Sequence, residues 1–173
     1  MFKFILVAAV SLDGKIAKHS KHFSDWTSKE DKVFLRKLLD RADLIIIGRK
    51  TYELAKQRLA KRKCLVFTRH LRGIRHASPN LTFFNPESCS LSNYLANLSL
   101  KKVIILGGRE VYTYFLENLW LDEIYLTIEP IIFGQGLDIF KASKSLESRF
   151  VLKSVEKLNS IGSLLLHYVK VCD

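Results

Sequence analysis

The most regular feature of the sequence is a set of short, unbroken apolar runs. A strand buried on both faces loses the alternation of polar and apolar residues, which is typical of the centre of a parallel sheet. We therefore predict central strands at four of these runs, which lie at Phe2–Val10, Leu44–Ile47, Cys64–Phe67 and Lys102–Leu106.

Other segments predict the rest of the sheet. Leu121–Pro130 alternates apolar residues around Ile124, and Leu81–Phe84 is a short apolar run. Phe150–Leu158 and Leu164–Val171 flank a turn at Asn159–Gly162, which predicts a C-terminal antiparallel hairpin.

Four segments have helical patterning, and they alternate with the strands. They lie from Trp26 to Leu39, over Thr51–Ala60, over Leu91–Leu98 and after Gly108, whereas Arg72–Pro79 is predicted to be a basic loop. The pattern predicts one α/β domain over 1–173, with a mostly parallel eight-stranded sheet and about four flanking helices.

Two predicted strands end in glycine before a helix. Gly48 is followed by Arg49, Lys50 and Thr51, and the other strand ends in the pair Gly107-Gly108. The first helical N–H groups have no partner within a helix, so a glycine there lets an anion approach the backbone. An ordinary turn with solvated basic residues is the alternative for either segment alone. Two such ends in one α/β sheet favour a ligand site at the carboxyl ends of the strands.

Adjacent acids open the first helix. Thr27 or Ser28 can cap it, with Glu30 or Asp31 three residues later, which is a capping-box pattern. On these residues alone, capping is favoured over a carboxylate that points into a pocket. Glu30 and Phe34 are i and i+4 and share a helix face.

Composition narrows the function classes. With 28 Lys and Arg against 17 Asp and Glu, the net charge of +11 favours an anionic ligand, nucleic acid or a membrane surface. No apolar run is long enough to span a membrane, and Phe2–Val10 lacks the features of a signal peptide. Three cysteines without a CxxC motif indicate reduced thiols in a cytoplasmic protein, at Cys64, Cys89 and Cys172. No metal site is predicted, and His19 and His22 are assigned to a solvated loop.

The chain resembles the dihydrofolate reductases over nearly its whole length. In chain order the matching residues are Val7–Ala9, Asp13 with Ile16-Ala17, Trp26, an acid opening a helix with Phe34, Gly48–Glu53, Leu59 with Arg62, Thr68-Arg69, Gly107-Gly108 with Val111-Tyr112, and Tyr125–Thr127 before Phe140. The wider superfamily also holds the riboflavin-pathway pyrimidine reductases. Two segments are more similar to that branch, Ser11–Ala17 and Pro130–Phe140.

The resemblance implies a dihydrofolate-reductase-like fold and NADPH as the cofactor. Gly107 and Gly108 would approach it across a cis peptide, and Thr68 and Arg69 would bind its 2′-phosphate. The remaining cofactor contacts are implied on the pyrophosphate and adenosine side at Gly48, Arg49, Lys50 and Thr51, at the next helix start at Arg109 and Val111, and beside the nicotinamide at Ala9, Ile16, Ala17 and Tyr112.

The resemblance also implies a pterin pocket. Glu30 would orient the ring and aid its protonation, supported by Thr127, while counting from Trp26 selects Asp31 as the acid instead. We prefer Glu30 because it shares a face with Phe34. The implied substrate contacts are a sandwich by Phe34 and Leu59, backbone contacts from Val7 and Leu106, and a pair between Arg62 and the glutamate carboxylate of the substrate.

Three functions follow. The first is NADPH-dependent reduction of 7,8-dihydrofolate to tetrahydrofolate. The alternative is a riboflavin-pathway pyrimidine reductase that acts on a ribosylamino-pyrimidinone phosphate. The third is a noncatalytic nucleotide- or RNA-binding module. The basic run at the end of the second predicted helix contains no aromatic residues, which argues against this third function. We therefore expect a small-molecule substrate, no specific nucleic acid and no membrane partner, in a monomer or a homodimer.

Overall fold

The computed structural model describes residues 2–22, 24–141 and 145–171. In the described residues the strands are β1 (Lys3–Ser11), β2 (Lys15–Ala17), β3 (Leu44–Gly48), β4 (Cys64–Phe67), β5 (Ile74–Ser78), β6 (Leu81–Phe84), β7 (Lys102–Gly107), β8 (Glu123–Glu129), β9 (Leu137–Asp138), β10 (Phe150–Lys157) and β11 (Leu164–Lys170). The helices are α1 (Lys29–Leu39), α2 (Arg49–Leu59), α3 (Leu91–Ala96) and α4 (Arg109–Glu117), with a 3₁₀ turn at Ser24–Trp26.

Nine of the described strands form one sheet in the order β10-β11-β8-β1-β7-β3-β4-β6-β5, while β2 pairs with β9. The central neighbours from β8 to β6 run parallel, and β10, β11 and β5 pair antiparallel. The predicted fold class, including the C-terminal hairpin, is confirmed.

The core lies on both faces of the central strands. Leu6, Ile46 and Ile105 point into one cluster, and Ile5, Ile45 and Ile104 point into the other. This alternation explains the unbroken apolar runs, because both faces of these strands are covered.

The local structure differs from the prediction at β5 and at the short strands β2 and β9. The basic loop predicted at Arg72–Pro79 contains β5, an edge strand whose residues are all exposed and therefore carry no apolar pattern. The short strands β2 and β9 were not predicted either. Cys64 and Cys89 are free thiols, whereas Cys172 lies outside the described residues.

Candidate active site

A cavity of about 220 Å³ opens at the carboxyl ends of β1, β3 and β7. One side of α1, one side of α2 and the start of α4 form its walls. Of the residues predicted to form a site, those that line it are Val7, Ala9, Ile16, Ala17, Asp31, Thr51, Leu59, Leu106, Gly108, Arg109 and Tyr112.

Two helices begin at this cavity with glycine at the cap position. Gly48 precedes α2 and Gly108 precedes α4, and no side chain caps either helix among the described residues. The strands that deliver them are parallel neighbours, with Ile47 opposite Gly107. The free N–H groups of both helices therefore lie close together, which suits an anion such as a phosphate.

The glycines at these helix starts have close neighbours. The Gly107–Gly108 peptide is cis. A Cβ added at Gly107, where φ is +95°, would lie 2.7 Å from Cζ of Tyr112, and one at Gly108 would lie 3.1 Å from Oγ1 of Thr51. A side chain at either position would fill the space beside the helix starts.

Tyr112 lines the cavity and links α4 to β1. Its hydroxyl donates a hydrogen bond of 2.6 Å to the carbonyl oxygen of Val7, and its ring is 4% exposed. Burial raises the pKa of Tyr112 strongly, so the hydroxyl stays protonated and remains a donor.

The start of α1 supplies a buried acid. Ser28 caps the helix, and its Oγ accepts a hydrogen bond of 3.2 Å from the backbone N–H of Asp31. The Asp31 carboxyl is bonded to the hydroxyls of Thr27 and Thr127, and the residue is 6% exposed. Burial raises the pKa of Asp31 and the nearby charge of Glu129 adds to this, although the two hydroxyl bonds oppose the shift.

The structure places Asp31, and not the preferred Glu30, at the cavity. Glu30 is exposed and accepts a hydrogen bond of 3.3 Å from Asn159, while Asp31 lines the cavity. Phe34 also lies elsewhere, because its ring packs on Tyr125 at 5.4 Å. The pair on the pocket face is Asp31 and Leu35, which keeps the i, i+4 spacing but shifts it by one residue.

Arg62 is not placed to clamp a substrate in this cavity. Its guanidinium donates to Oδ1 of Asp40 and to the carbonyl oxygen of Arg58, each at 2.5 Å. It lies in a separate surface groove beside Cys64. The cation that α2 contributes to the cavity is Arg58, one turn earlier.

The predicted 2′-phosphate residues lie just beyond the end of β4. Thr68 is buried and its hydroxyl accepts a hydrogen bond of 3.2 Å from the N–H of His70. Nη2 of Arg49 lies 3.2 Å from Nε2 of His70, and Arg69 is exposed at 3.7 Å from Glu87. Lys50 is exposed on the first turn of α2, and Val111 is buried beside Gly48. These residues stand next to the cavity rather than in its lining.

Sequence reasoning missed several residues of the site, notably Thr27, Leu35 and Arg58. Arg58 was assigned to a solvated basic run, and nothing local separates it from its basic neighbours. His19 and His22 line the cavity mouth with Trp26, although they were assigned to a solvated loop. The described residues contain no group of three or more His, Cys, Asp or Glu that could hold a metal ion. None of the helices described here is long and apolar enough to cross a membrane.

A family model and a curated protein each match most of this chain. Residues 3–161 match the model of the RibD C-terminal domain. The Bacillus subtilis (strain 168) protein YwjB is 28% identical over 176 residues, which cover 97% of this chain and 98% of YwjB.

Solved structures share the fold at low identity. A pyrimidine reductase-like protein from Corynebacterium diphtheriae superposes with a TM-score of 0.77 at 18% identity, covering 99% of this chain and 92% of that one. Dihydrofolate reductase from Enterococcus faecalis, complexed with NADP(H), superposes with a TM-score of 0.66 at 19% identity, covering 97% and 96%. The wider superfamily inferred from the sequence is correct, but the matching family is RibD rather than dihydrofolate reductase.

Proposed function

We propose that this chain, which belongs to the RibD C-terminal domain family, is an NADPH-dependent reductase whose substrate is a ribosylamino-pyrimidinone phosphate. One observation carries the proposal. A buried carboxyl group, that of Asp31, shares a cavity with the glycine-started N-termini of α2 and α4. Such a cavity can hold a phosphate-bearing cofactor on one side and a nitrogen heterocycle on the other.

The residues present fit NADPH. The uncapped N–H groups after Gly48 and Gly108, with Thr51 between them, can bind its pyrophosphate. Arg49 and His70, with Thr68 and Arg69 beside them, can bind a 2′-phosphate. When bound, NADPH supplies the hydride for the reduction.

The chain itself supplies alignment and a proton. Asp31 can hydrogen-bond a ring nitrogen, and its raised pKa keeps a larger fraction protonated than for an exposed aspartate. Thr27 and Thr127 hold that carboxyl in one orientation. Trp26 and Ala17 border the cavity and restrict water around the imine carbon that would accept the hydride.

The pyrimidine substrate is preferred to dihydrofolate for two reasons. The family model is that of RibD. In addition, Arg62, the residue expected to bind the glutamate of folate, is paired with Asp40, while Arg58 lines the cavity and can bind a phosphate.

Dihydrofolate remains the second candidate on one specific observation. Asp31 is hydrogen-bonded to Thr127, and it lines the same cavity as Leu59. This arrangement matches the pterin site that the resemblance to dihydrofolate reductases implies.

NADPH oxidation with each substrate tests the proposal, on the wild type and on Arg58→Ala with Arg62→Ala as its matched control. We expect turnover of the pyrimidine, with the KM raised about 10-fold by Arg58→Ala because a charge-assisted hydrogen bond contributes about 1.5–3 kcal/mol. Arg62→Ala should leave this KM unchanged.

Turnover of dihydrofolate with a KM raised by Arg62→Ala would favour the second candidate. A chain that binds NADPH but turns over neither substrate would overturn both.

A further inference from the structure

A second buried acid lies behind the site. Glu129, at the end of β8, is 4% exposed and does not line the cavity. Carboxylates are rarely buried unless their oxygens are satisfied. Oε1 accepts a hydrogen bond of 2.7 Å from the backbone N–H of Ser28, and Oε2 accepts one from the hydroxyl of Ser163, which is 1% exposed. Among the described residues it forms no ion pair.

The bond to Ser28 changes what Asp31 can do. In a capping box, the acid three residues after the cap reaches back and accepts the N–H of the cap residue. Asp31 holds that position relative to Ser28, whose Oγ accepts the N–H of Asp31 in the expected way. The reciprocal bond is absent here, because the N–H of Ser28 is already taken by Glu129.

Strand geometry explains how β8 does this. Thr127 and Glu129 are i and i+2 on one strand, so both side chains point to the same face. Thr127 bonds to the carboxyl of Asp31, and Glu129 bonds to the backbone one helical turn earlier. Two side chains on the same face of β8 therefore hold the first turn of α1, one through the carboxyl of Asp31 and the other through the N–H of Ser28.

The C-terminal hairpin completes the arrangement. Nδ2 of Asn159 donates to Oγ of Ser163 at 2.9 Å, and Oδ1 of Asn159 accepts from the N–H groups of Gly162 and Ser163 at 3.0 and 3.2 Å. Asn159 also donates to the exposed Glu30 at 3.3 Å. The turn between β10 and β11 thus fixes Ser163, which in turn fixes Glu129.

We propose that Glu129 is a positioning residue that occupies the N–H of Ser28 and so keeps the carboxyl of Asp31 turned into the cavity, with Ser163 holding Glu129 in place. This inference rests on the proposed function of Asp31. Without Glu129, the Asp31 carboxyl would turn back onto the N-terminus of its own helix.

The test compares Glu129→Gln with Glu129→Ala, and the exposed acid in Glu156→Gln serves as the control for charge. A glutamine keeps an oxygen that can accept the N–H of Ser28, while an alanine does not. We expect single-turnover hydride transfer to fall roughly 10- to 100-fold in Glu129→Ala, because small misplacements of a catalytic group have effects of this size. Glu129→Gln should retain a rate close to the wild type, and both variants should bind NADPH with unchanged Kd.

A readout without turnover is the titration of Asp31 itself, followed by carboxyl ¹³C NMR and assigned with Asp31→Asn. The charged and titratable groups around Asp31 are Glu129 on β8, Lys32 on α1, Tyr112 on α4, Arg58 on α2, Arg109 at the start of α4, and His19 and His22 at the cavity mouth. The pKa of Asp31 should fall in Glu129→Gln because a negative charge is lost. It should fall further in Glu129→Ala because the carboxyl then accepts a backbone N–H as well.

Several results would overturn the inference. Equal rate losses in Glu129→Gln and Glu129→Ala would show that charge matters and not position. Wild-type rates in both variants, or a parallel loss of NADPH affinity in Glu129→Ala, would remove the positioning role.

If Glu129→Ala does not fold, Ser163→Ala replaces it, with a few-fold loss of rate expected at unchanged NADPH affinity and an unchanged rate as the contrary result. If the wild type turns over neither substrate, the proposed function fails, and the NMR titration still decides whether Glu129 controls Asp31.

Discussion

The N-terminus of α1 and the N-termini of α2 and α4 surround one cavity, yet they are built in opposite ways. At α1 the cap is Ser28, the acid three residues later is Asp31, and the N–H of Ser28 is taken by Glu129. At α2 and α4 the cap residues are glycines, which have no side chain to offer. Side chains of the protein accept two N–H groups at the start of α1, whereas the starts of α2 and α4 have no capping side chain among the described residues and leave their N–H groups for a ligand.

This difference shows how one edge of a sheet can bind both a substrate ring and the phosphates of a cofactor. A satisfied helix start presents a side chain in a fixed orientation, which suits chemistry on a substrate ring. An unsatisfied helix start presents backbone donors and a positive dipole end, which suits phosphates.

Removal of the acid should have the largest effect. We expect Asp31→Asn to reduce turnover by about 10²-fold or more, because proton transfer by a positioned group contributes roughly 10²–10⁴-fold. The neighbouring Glu30→Gln is the matched control and should leave turnover unchanged, since Glu30 is exposed. Steady-state NADPH oxidation measures both. A greater loss in Glu30→Gln than in Asp31→Asn would show that Glu30 is the acid of the site.

Obstruction of a bare helix start should come next. Gly108 has a φ of −76°, which alanine also adopts, but its added Cβ would lie 3.1 Å from Oγ1 of Thr51. We expect Gly108→Ala to weaken NADPH binding about 10-fold, equivalent to about 1.4 kcal/mol, with little change in Tm. Fluorescence titration gives the Kd, and an unchanged Kd would exclude this helix start from the cofactor site.

Loss of the cap at α1 is the complementary change. Ser28→Ala removes the oxygen that accepts the N–H of Asp31, and we expect a loss of about 1 kcal/mol in the free energy of unfolding. The Kd for NADPH should not change, because the bare helix starts are untouched. Denaturant unfolding and the same fluorescence titration measure the two quantities, and a weakened Kd would show that the helix ends are not independent.

The smallest effect concerns pH. The pKa of Asp31 is raised in the folded state, so the folded protein binds this proton more tightly, and stability is lost as pH rises from the unfolded-state pKa through the folded-state pKa. Asp31→Asn has no carboxyl group to titrate, so its stability does not fall in this way. Its Tm at neutral pH should therefore be higher than that of the wild type. The difference should disappear at pH values below the unfolded-state pKa, and thermal unfolding across this range measures it. A lower Tm for Asp31→Asn than for the wild type at neutral pH would contradict the prediction that ionised Asp31 destabilises the fold.

How far the sequence predicts this site depends on the range of each interaction. The glycine-started helices were found because glycine acts locally, through the backbone beside it. The central strands of the mostly parallel sheet were predicted because their apolar runs are buried on both faces. Both signals are complete within a few residues of the chain.

The errors came from contacts between distant segments. Glu30 with Phe34 and Asp31 with Leu35 have the same spacing, and only the packing of α1 against Thr127 on β8 selects the second pair. The resemblance to dihydrofolate reductases assigned Arg62 to the substrate, whereas in the structure Arg62 pairs with Asp40, which follows another helix. No local pattern encodes either contact.

The position of β1 has a consequence for synthesis of the chain. It is one of the most apolar strands, and it is translated before both of its partners in the sheet, β7 and β8, which begin at Lys102 and Glu123. Until the ribosome has released those segments, β1 has no neighbour in the sheet, while β3 and β4 can already pair. The nascent chain therefore carries an apolar strand without a sheet partner until β7 has been synthesised, and such unpaired apolar strands are prone to aggregation during folding.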